Sequence, residues 1–158
     1  MLSPILFTSY VNLLLEKLEK SGLGCFVAHE CANSFMYADD LILLSLTVSD
    51  LQKLIDMCFE ILSDLDLSIN IEKSHCIRIG PRWKLPCSSV AVNAVLIKWV
   101  SKTKFLGITI VSDKTFRCDW HEARSNFYKA SNVLFSHLGP NPQIDIILKL
   151  FNSKCLPI

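Results

Sequence analysis

The stretch that decides the fold is Phe35-Met36-Tyr37-Ala38-Asp39-Asp40-Leu41-Ile42-Leu43-Leu44. Two apolar runs flank an adjacent pair of aspartates, which predicts a buried β-hairpin with the carboxylates between its strands. Adjacent carboxylates repel each other and resist desolvation, and a divalent cation relieves both effects. Oxygen ligands favour Mg²⁺ or Mn²⁺. The alternative is an ordinary solvent-exposed turn, since aspartate is a common turn residue, but apolar strands on both sides argue against it.

Helices and further strands are predicted on both sides of this segment. Ser3-Pro4 has the pattern of an N-cap followed by proline, and Gly22 ends the helix that follows. A second helix, capped by Ser49 or Asp50, has an apolar stripe made of Leu51, Leu54, Ile55, Cys58, Leu62 and Leu65. Apolar runs and turn signals predict strands at 25–28 and 76–79, a small antiparallel sheet from 90–100 and 104–111, and helices at 119–138 and about 143–154. The sequence therefore predicts an α+β fold that ends in helices.

Charge is distributed unevenly along the 158 residues. The formal net charge is only +1, but residues 1–72 carry −8 and residues 73–158 carry +9. The near-neutral total argues against a histone-like nucleic-acid binder, whereas the asymmetry can mark a face that binds nucleic acid.

Composition indicates an intracellular protein. Seven cysteines, odd in number and irregularly spaced, favour reduced thiols. No apolar run reaches the roughly 18 residues of a membrane helix, and the N-terminus lacks the basic region of a signal peptide. We expect a cytoplasmic or nuclear location, no membrane and no secretion. The mean hydropathy of +0.36 suggests a piece of a larger body.

Four motifs in order resemble the reverse transcriptases of non-LTR (LINE-type) retrotransposons. Tyr-Ala-Asp-Asp at 37–40 looks like their catalytic box, and Leu-Ser-Pro-Ile-Leu-Phe at 2–7 resembles the start of the helix before it. Asn-Ile-Glu-Lys-Ser at 70–74 is similar to the motif after the next helix, and Lys-Phe-Leu-Gly-Ile at 104–108 resembles the primer-grip hairpin. The resemblance implies a partial polymerase palm at 1–111 and a partial helical thumb at 112–158.

The resemblance also implies a chemistry, RNA-templated DNA synthesis from dNTPs on a DNA primer by a two-metal mechanism with Mg²⁺ or Mn²⁺. Asp39 would be the more direct metal ligand and Asp40 would support the same cluster. Lys73 would protonate or neutralise pyrophosphate, unless it is an ordinary solvated turn lysine. The other implied contacts are with primer, template, nucleotide and phosphates. They are Tyr37, Phe105, Leu106 and Gly107 for the primer, Ser3 and Pro4 near template and nucleotide, and Lys114, Arg117, Arg124 and Lys129 for phosphates.

Parts that the family requires are missing from the sequence. A third aspartate is expected on a strand before Leu2-Ser3-Pro4, and the fingers are expected to hold template and nucleotide. We therefore expect that the isolated chain does not polymerise. One alternative is a decayed transposon remnant with at most weak, non-catalytic nucleic-acid binding. Another is a zinc module at Cys25, His29 and Cys31, although this spacing is not a usual zinc pattern. No Cys or Ser hydrolase constellation is present.

Overall fold

The computed structural model describes residues 3–138 and 144–155. The described part has a mixed α and β fold, in which runs of short strands lie between the helices. Its helices are α1 (Ser3–Lys20), α2 (Val48–Asp64), α3 (His121–His137) and α4 (Ile144–Leu150), the last continued by a π-helical turn at Phe151–Cys155. Its strands are β1 (Phe26–Val27), β2 (Glu30–Cys31), β3 (Ser34–Tyr37), β4 (Asp40–Leu43), β5 (His75–Cys76), β6 (Val90–Val92), β7 (Val95–Trp99), β8 (Lys102–Phe105), β9 (Ile108–Val111) and β10 (Arg117–Asp119). Among the described helices none is long and apolar enough to cross a membrane.

Helix α2 lies between two apolar clusters and holds the first half of the fold together. One cluster joins α2 to α1 and consists of Leu14, Leu18, Leu54, Cys58 and Ile61. The other joins α2 to a three-stranded sheet and consists of Ile55, Cys76, Val90, Val92 and Ile97. Two apolar stripes on one helix are thus buried against different neighbours, which confirms most of the predicted stripe and adds Ile61 to it.

The start of α2 differs by two or three residues from the prediction. Thr47, rather than Ser49 or Asp50, is the N-cap, and its hydroxyl accepts a hydrogen bond from the backbone N–H of Asp50. The Thr47 hydroxyl also donates to the Asp50 carboxylate. These contacts lower the pKa of Asp50, chiefly through the Thr47 hydrogen bond and then through Lys53. The first turn therefore uses Thr47 and Asp50 together, with Asp50 inside the helix.

The hairpin formed by β3 and β4 has one packed face and one open face. Met36, Leu41 and Leu43 share the inner face, and both leucines pack against the cluster between α1 and α2. The outer face carries Phe35 and Tyr37, which are 53% and 64% exposed. The prediction of an antiparallel hairpin is confirmed, but the prediction that it is buried is wrong, because no described element covers the outer face.

The sheet that packs on α2 has the order β5-β7-β6. β6 and β7 form an antiparallel hairpin, whereas β5 pairs with β7 in parallel. The predicted antiparallel pairing holds within 90–100 and within 104–111, but these stretches lie in two separate sheets rather than one. The strand predicted at 76–79 is shorter and begins at His75. A parallel pair needs a long connection, and here residues 77–94 supply it.

A second sheet has the order β10-β9-β8. Its β8–β9 hairpin lies where the sequence predicts it, but β10 was not predicted. Ion pairs from Lys102 to Asp119 and from Lys104 to Glu122 connect β8 to β10 and to the start of α3. The helix predicted at about 143–154 is found as α4 and its π-helical continuation, which together run from Ile144 to Cys155, and Gln143 lies outside the described residues.

Candidate active site

The two aspartates lie at the tip of the β3–β4 hairpin. Tyr37 pairs with Asp40, so Ala38 and Asp39 form a two-residue turn. Ala38 has φ +51, a left-handed conformation that costs an alanine about 1–2 kcal/mol and that clusters at functional sites. Both carboxylates are exposed, and no described residue forms a hydrogen bond or ion pair with either side chain. The carboxylate pair is therefore open to a ligand from solvent.

Tyr37 shares the outer face of the hairpin with Asp40, because directly paired residues in an antiparallel ladder point to the same side. Asp39 stands next to them on the turn. The hairpin thus presents a phenol and a carboxylate side by side on its open face and a second carboxylate at its tip.

A buried asparagine anchors the base of this hairpin. The Asn33 side chain is 2% exposed, and its Nδ2 donates to the carbonyl oxygens of Leu18, at 2.6 Å, and Leu23, at 3.0 Å. The backbone carbonyl of Asn33 accepts a hydrogen bond from the N–H of Leu44, just after β4, at 2.7 Å. Gly24 packs against it so closely that a Cβ there would lie 2.4 Å from the Asn33 Cβ. The sequence did not predict this anchor formed by Asn33 and Gly24, since a lone Asn before a strand gives no signal of burial.

Lys73 is exposed on a turn that the Asn-Ile-Glu-Lys-Ser motif builds by itself. The Asn70 side-chain oxygen accepts the Lys73 N–H at 3.1 Å. The Ser74 hydroxyl donates to the Asn70 carbonyl at 2.8 Å. The spacing of Asn, Lys and Ser is explained by these contacts, which hold the backbone under Lys73 while its ammonium group stays in solvent.

Leu106 and Gly107 form the two-residue turn between β8 and β9. Their φ values of +46 and +81 are the pattern of a type I′ turn, the preferred connection of a tight hairpin. A Cβ on Gly107 would meet nothing within 4 Å, so among the described residues this glycine is required by its φ and not by a close neighbour. Leu106 is 48% exposed at the tip, and Phe105 is half-buried.

The four predicted phosphate contacts are exposed, and the two on α3 do not share one face of that helix. Lys114 precedes β10, and Arg117 begins it and pairs with Asp113 at 3.4 Å. Arg124 and Lys129 lie on α3, where five positions turn the helix by about 140°, so these two side chains diverge. The side chains of Ser3 and Pro4, predicted near template and nucleotide, lie outside the described residues.

The described residues contain no group of three His, Cys, Asp or Glu side chains placed to hold a metal ion. Cys25, His29 and Cys31 are accordingly not brought together as a zinc site. Asp39 and Asp40 supply two hard oxygen ligands, which fits Mg²⁺ or Mn²⁺, since Mg²⁺ in polymerases is bound by one or two carboxylates and by substrate phosphates.

Comparison with known proteins decides the family. The model of the family described as "Reverse transcriptase (RNA-dependent DNA polymerase)" matches residues 1–110. The chain belongs to the reverse transcriptase family. The match contains the hairpin with Asp39 and Asp40, the Asn70 turn and the Leu106-Gly107 turn.

A curated relative agrees with this assignment. The reverse transcriptase chain is 30% identical over 126 residues to a Retrovirus-related Pol polyprotein from a type-2 retrotransposable element of Drosophila melanogaster. The aligned part covers 75% of this chain and 12% of that protein. Together the two matches confirm the predicted resemblance to reverse transcriptase domains of non-LTR retrotransposons. No solved structure matches significantly.

Proposed function

We propose that the chain is part of the palm and thumb of an RNA-directed DNA polymerase, with Asp39 and Asp40 as its metal ligands. The observation that carries the proposal is the carboxylate pair at the hairpin tip, exposed and without a described partner, on a hairpin whose inner face is fixed in a core. Mg²⁺ or Mn²⁺, when bound there, supplies Lewis-acid activation of a primer 3′-hydroxyl and neutralises a leaving pyrophosphate.

The other residues of the proposed site act through position and charge. Tyr37 offers an exposed aromatic face beside Asp40, suited to the sugar and base of a primer terminus. Lys73 provides a solvated ammonium for pyrophosphate on a turn that Asn70 stabilises. Phe105 and the strained Leu106-Gly107 turn form the primer-contacting tip, and the basic residues of 112–158 contact the phosphates of the RNA–DNA duplex.

We further propose that the 158 residues do not polymerise alone. The chain spans 12% of the length of its curated relative, and its described residues bring together two carboxylates rather than three. Complete activity, with RNA template, DNA primer and dNTPs, belongs to a longer polypeptide that supplies the third aspartate, the remaining palm and the fingers.

The proposed metal site is tested by Mn²⁺ titration of the chain, followed by electron paramagnetic resonance of free Mn²⁺. We expect weak binding that is lost in Asp39→Asn and in Asp40→Asn, because each variant removes a charged ligand while keeping the volume of the side chain. Asp64→Asn is the matched control, since Asp64 is an exposed carboxylate at the end of α2. Binding unchanged in both hairpin variants would disprove the metal site.

Primer extension tests the second proposal. The chain is mixed with an RNA template, an annealed DNA primer and dNTPs, in Mg²⁺ and in Mn²⁺. We expect no extension product. Incorporation that disappears in Asp39→Asn would show that the chain is an active polymerase.

A further inference from the structure

A groove remote in sequence from the Asp39–Asp40 pair has the composition of a nucleotide-binding site. The groove encloses about 470 Å³ between the 80–88 loop and the junction of β7 and β8. Two indoles and two cations line it, namely Trp83, Trp99, Arg78 and Lys84, and we call these four residues the indole groove. Its volume is in the roughly 300–1,000 Å³ range of small-ligand sites.

The loop that forms one wall is fixed although it belongs to no strand. Arg78 Nη1 donates to the carbonyl of Leu85 at 3.1 Å. Trp99 Nε1 donates to the carbonyl of Ser88 at 3.1 Å. The N–H of Gly80 donates to the carbonyl of Asp113 at 2.9 Å, which joins the loop to the second sheet. Because the loop is anchored near both ends and in its middle, the groove exists without a ligand and binding does not require ordering it.

The two tryptophans provide flat apolar surface with different supports. Trp99 ends β7 and packs against the core cluster on α2, so its ring is held in place. Trp83 lies half-buried in the loop, and Lys84 Nζ is 5.0 Å from the centre of its ring. Indole faces bind unpaired bases by stacking. The Lys84 ammonium lies over the face of the Trp83 ring and is a nearby cation for the phosphate attached to a base in the groove.

The stretch of sequence that lines most of the groove is basic, which favours an anionic ligand. Residues 73–112 contain seven Lys or Arg and no Asp or Glu, and two of the seven, Lys102 and Lys104, form ion pairs with Asp119 and Glu122. The next carboxylate in the sequence, Asp113, is paired with Arg117 at 3.4 Å. A stretch that is free of acidic side chains and also carries two groove-lining indoles is suited to a chain of bases joined by phosphates.

We propose that the indole groove binds an unpaired nucleotide of a single-stranded nucleic acid. The base stacks on Trp83 and Trp99, and the adjoining phosphates pair with Lys84 and Arg78. The site uses none of the residues assigned above to metal, primer or pyrophosphate. The proposal therefore does not depend on the metal site.

The test is fluorescence anisotropy with labelled 12-nucleotide uridine and deoxythymidine oligomers, titrated with the full 158-residue chain in the presence of a chelator. The two oligomers distinguish RNA from DNA as the ligand. Trp83→Ala is expected to weaken binding about 5- to 150-fold, the effect of losing one stacked base. Lys84→Gln is expected to weaken binding and to reduce the slope of log affinity against log salt by about 0.7.

Matched controls separate the groove from exposed aromatic and positive surface elsewhere in the chain. Trp120→Ala removes an exposed indole outside the groove, and Lys17→Gln removes an exposed cation outside it. We expect both variants to bind as the unmodified chain does. Trp83→Phe keeps an aromatic face and is expected to retain most of the affinity, which also covers the case in which Trp83→Ala fails to fold.

Several results would overturn the proposal. One is equal binding by the unmodified chain and Trp83→Ala. Another is a loss of affinity in Trp120→Ala as large as that in Trp83→Ala, which would show that any exposed indole contributes equally to binding. Equally tight binding of polyglutamate would show that charge alone is recognised.

Discussion

Gly24→Ala is expected to destabilise the protein far more than Gly22→Ala does, although the two glycines are two residues apart. A Cβ at Gly24 would lie 2.4 Å from the Asn33 Cβ and 2.7 Å from the Leu44 carbonyl oxygen, at a φ of +106. A Cβ at Gly22 would meet nothing within 4 Å, at a φ of +65. The comparison therefore separates a steric clash from the cost of a left-handed backbone alone.

The expected loss of stability in each variant follows from the groups that the added Cβ must displace. Left-handed strain accounts for about 1–2 kcal/mol in either variant, partly offset by the lower entropy of the unfolded chain. At Gly24 the clash also displaces Asn33, which is 2% exposed and donates to the carbonyls of Leu18 and Leu23. A buried group left without its partner costs about 1–3 kcal/mol, so we expect a loss of roughly 2–5 kcal/mol for Gly24→Ala and about 1 kcal/mol or less for Gly22→Ala.

The assay is urea denaturation followed by circular dichroism, with both variants and the unmodified chain at one temperature. A loss of roughly 2–5 kcal/mol is a large part of the stability of an ordinary domain, so the urea midpoint for Gly24→Ala should fall steeply. Mn²⁺ binding should weaken in parallel, because Asn33 also holds Leu44 at the end of the aspartate hairpin. Equal losses of stability in the two variants would refute the reasoning from packing.

Three further predictions concern the turn, the edge of the sheet and the core. Leu106→Asn should raise the melting temperature by about 2–4 °C per kcal/mol relieved, because asparagine accepts φ +46 more readily than leucine does; an unchanged melting curve would contradict this. Gln52→Ala should lower the free energy of unfolding by about 1–3 kcal/mol, because it removes two side-chain hydrogen bonds, at 2.8 and 2.9 Å, to the backbone of Ala91. The control Lys53→Ala, at the exposed neighbouring residue, should change the free energy of unfolding by under about 0.5 kcal/mol. Burial raises the pKa of Cys58 to about 12, so its alkylation by iodoacetamide at pH 8 should be far slower than that of the half-buried Cys31. The alkylation of Cys58 should become faster as the pH rises toward 12. Equal alkylation rates of the two thiols at pH 8, measured by mass spectrometry, would exclude a protected Cys58.

The protonation of Cys58 also gives stability a pH dependence. Its folded-state pKa lies above the ordinary value of 9.0, so the folded chain holds this proton more tightly than the unfolded chain does. The stabilisation of the folded state by this tighter proton binding is fully present below about pH 9 and is lost as the pH rises toward 12. The free energies of unfolding of the unmodified chain and of Cys58→Ala, measured by urea denaturation, should change differently with pH between about pH 9 and 12. Below about pH 9 the difference between them should stay constant.

Local patterns were sufficient for elements whose residues are neighbours in the chain. The hairpin around Asp39, the helix ended by Gly22 and the hairpin at Leu106-Gly107 depend on alternation, helix stop signals and two-residue turns. The order of the four motifs predicted the family correctly, because each motif is a contiguous stretch of sequence.

Contacts between distant residues could not be predicted in this way. The parallel pairing of β5 with β7 joins His75 to Lys98, and neither strand carries a local sign of its partner. The third strand β10 has only three residues, too short for a periodic pattern, and forms because β9 offers it an edge. The N-cap of α2 was misplaced because Thr47, Ser49 and Asp50 are all suitable capping residues, and packing decides among them.

The sequence by itself determined which residues are candidates for the chemistry, because a carboxylate pair, a lysine turn and a glycine turn are properties of short stretches of chain. Only the tertiary structure decided how these stretches are presented. It leaves the outer face of the aspartate hairpin open, anchors that hairpin through Asn33 and Gly24, and brings Trp83 and Trp99 to one groove. The physical reason is that burial and side-chain proximity depend on which distant segments pack together, and no local pattern of residues encodes that choice.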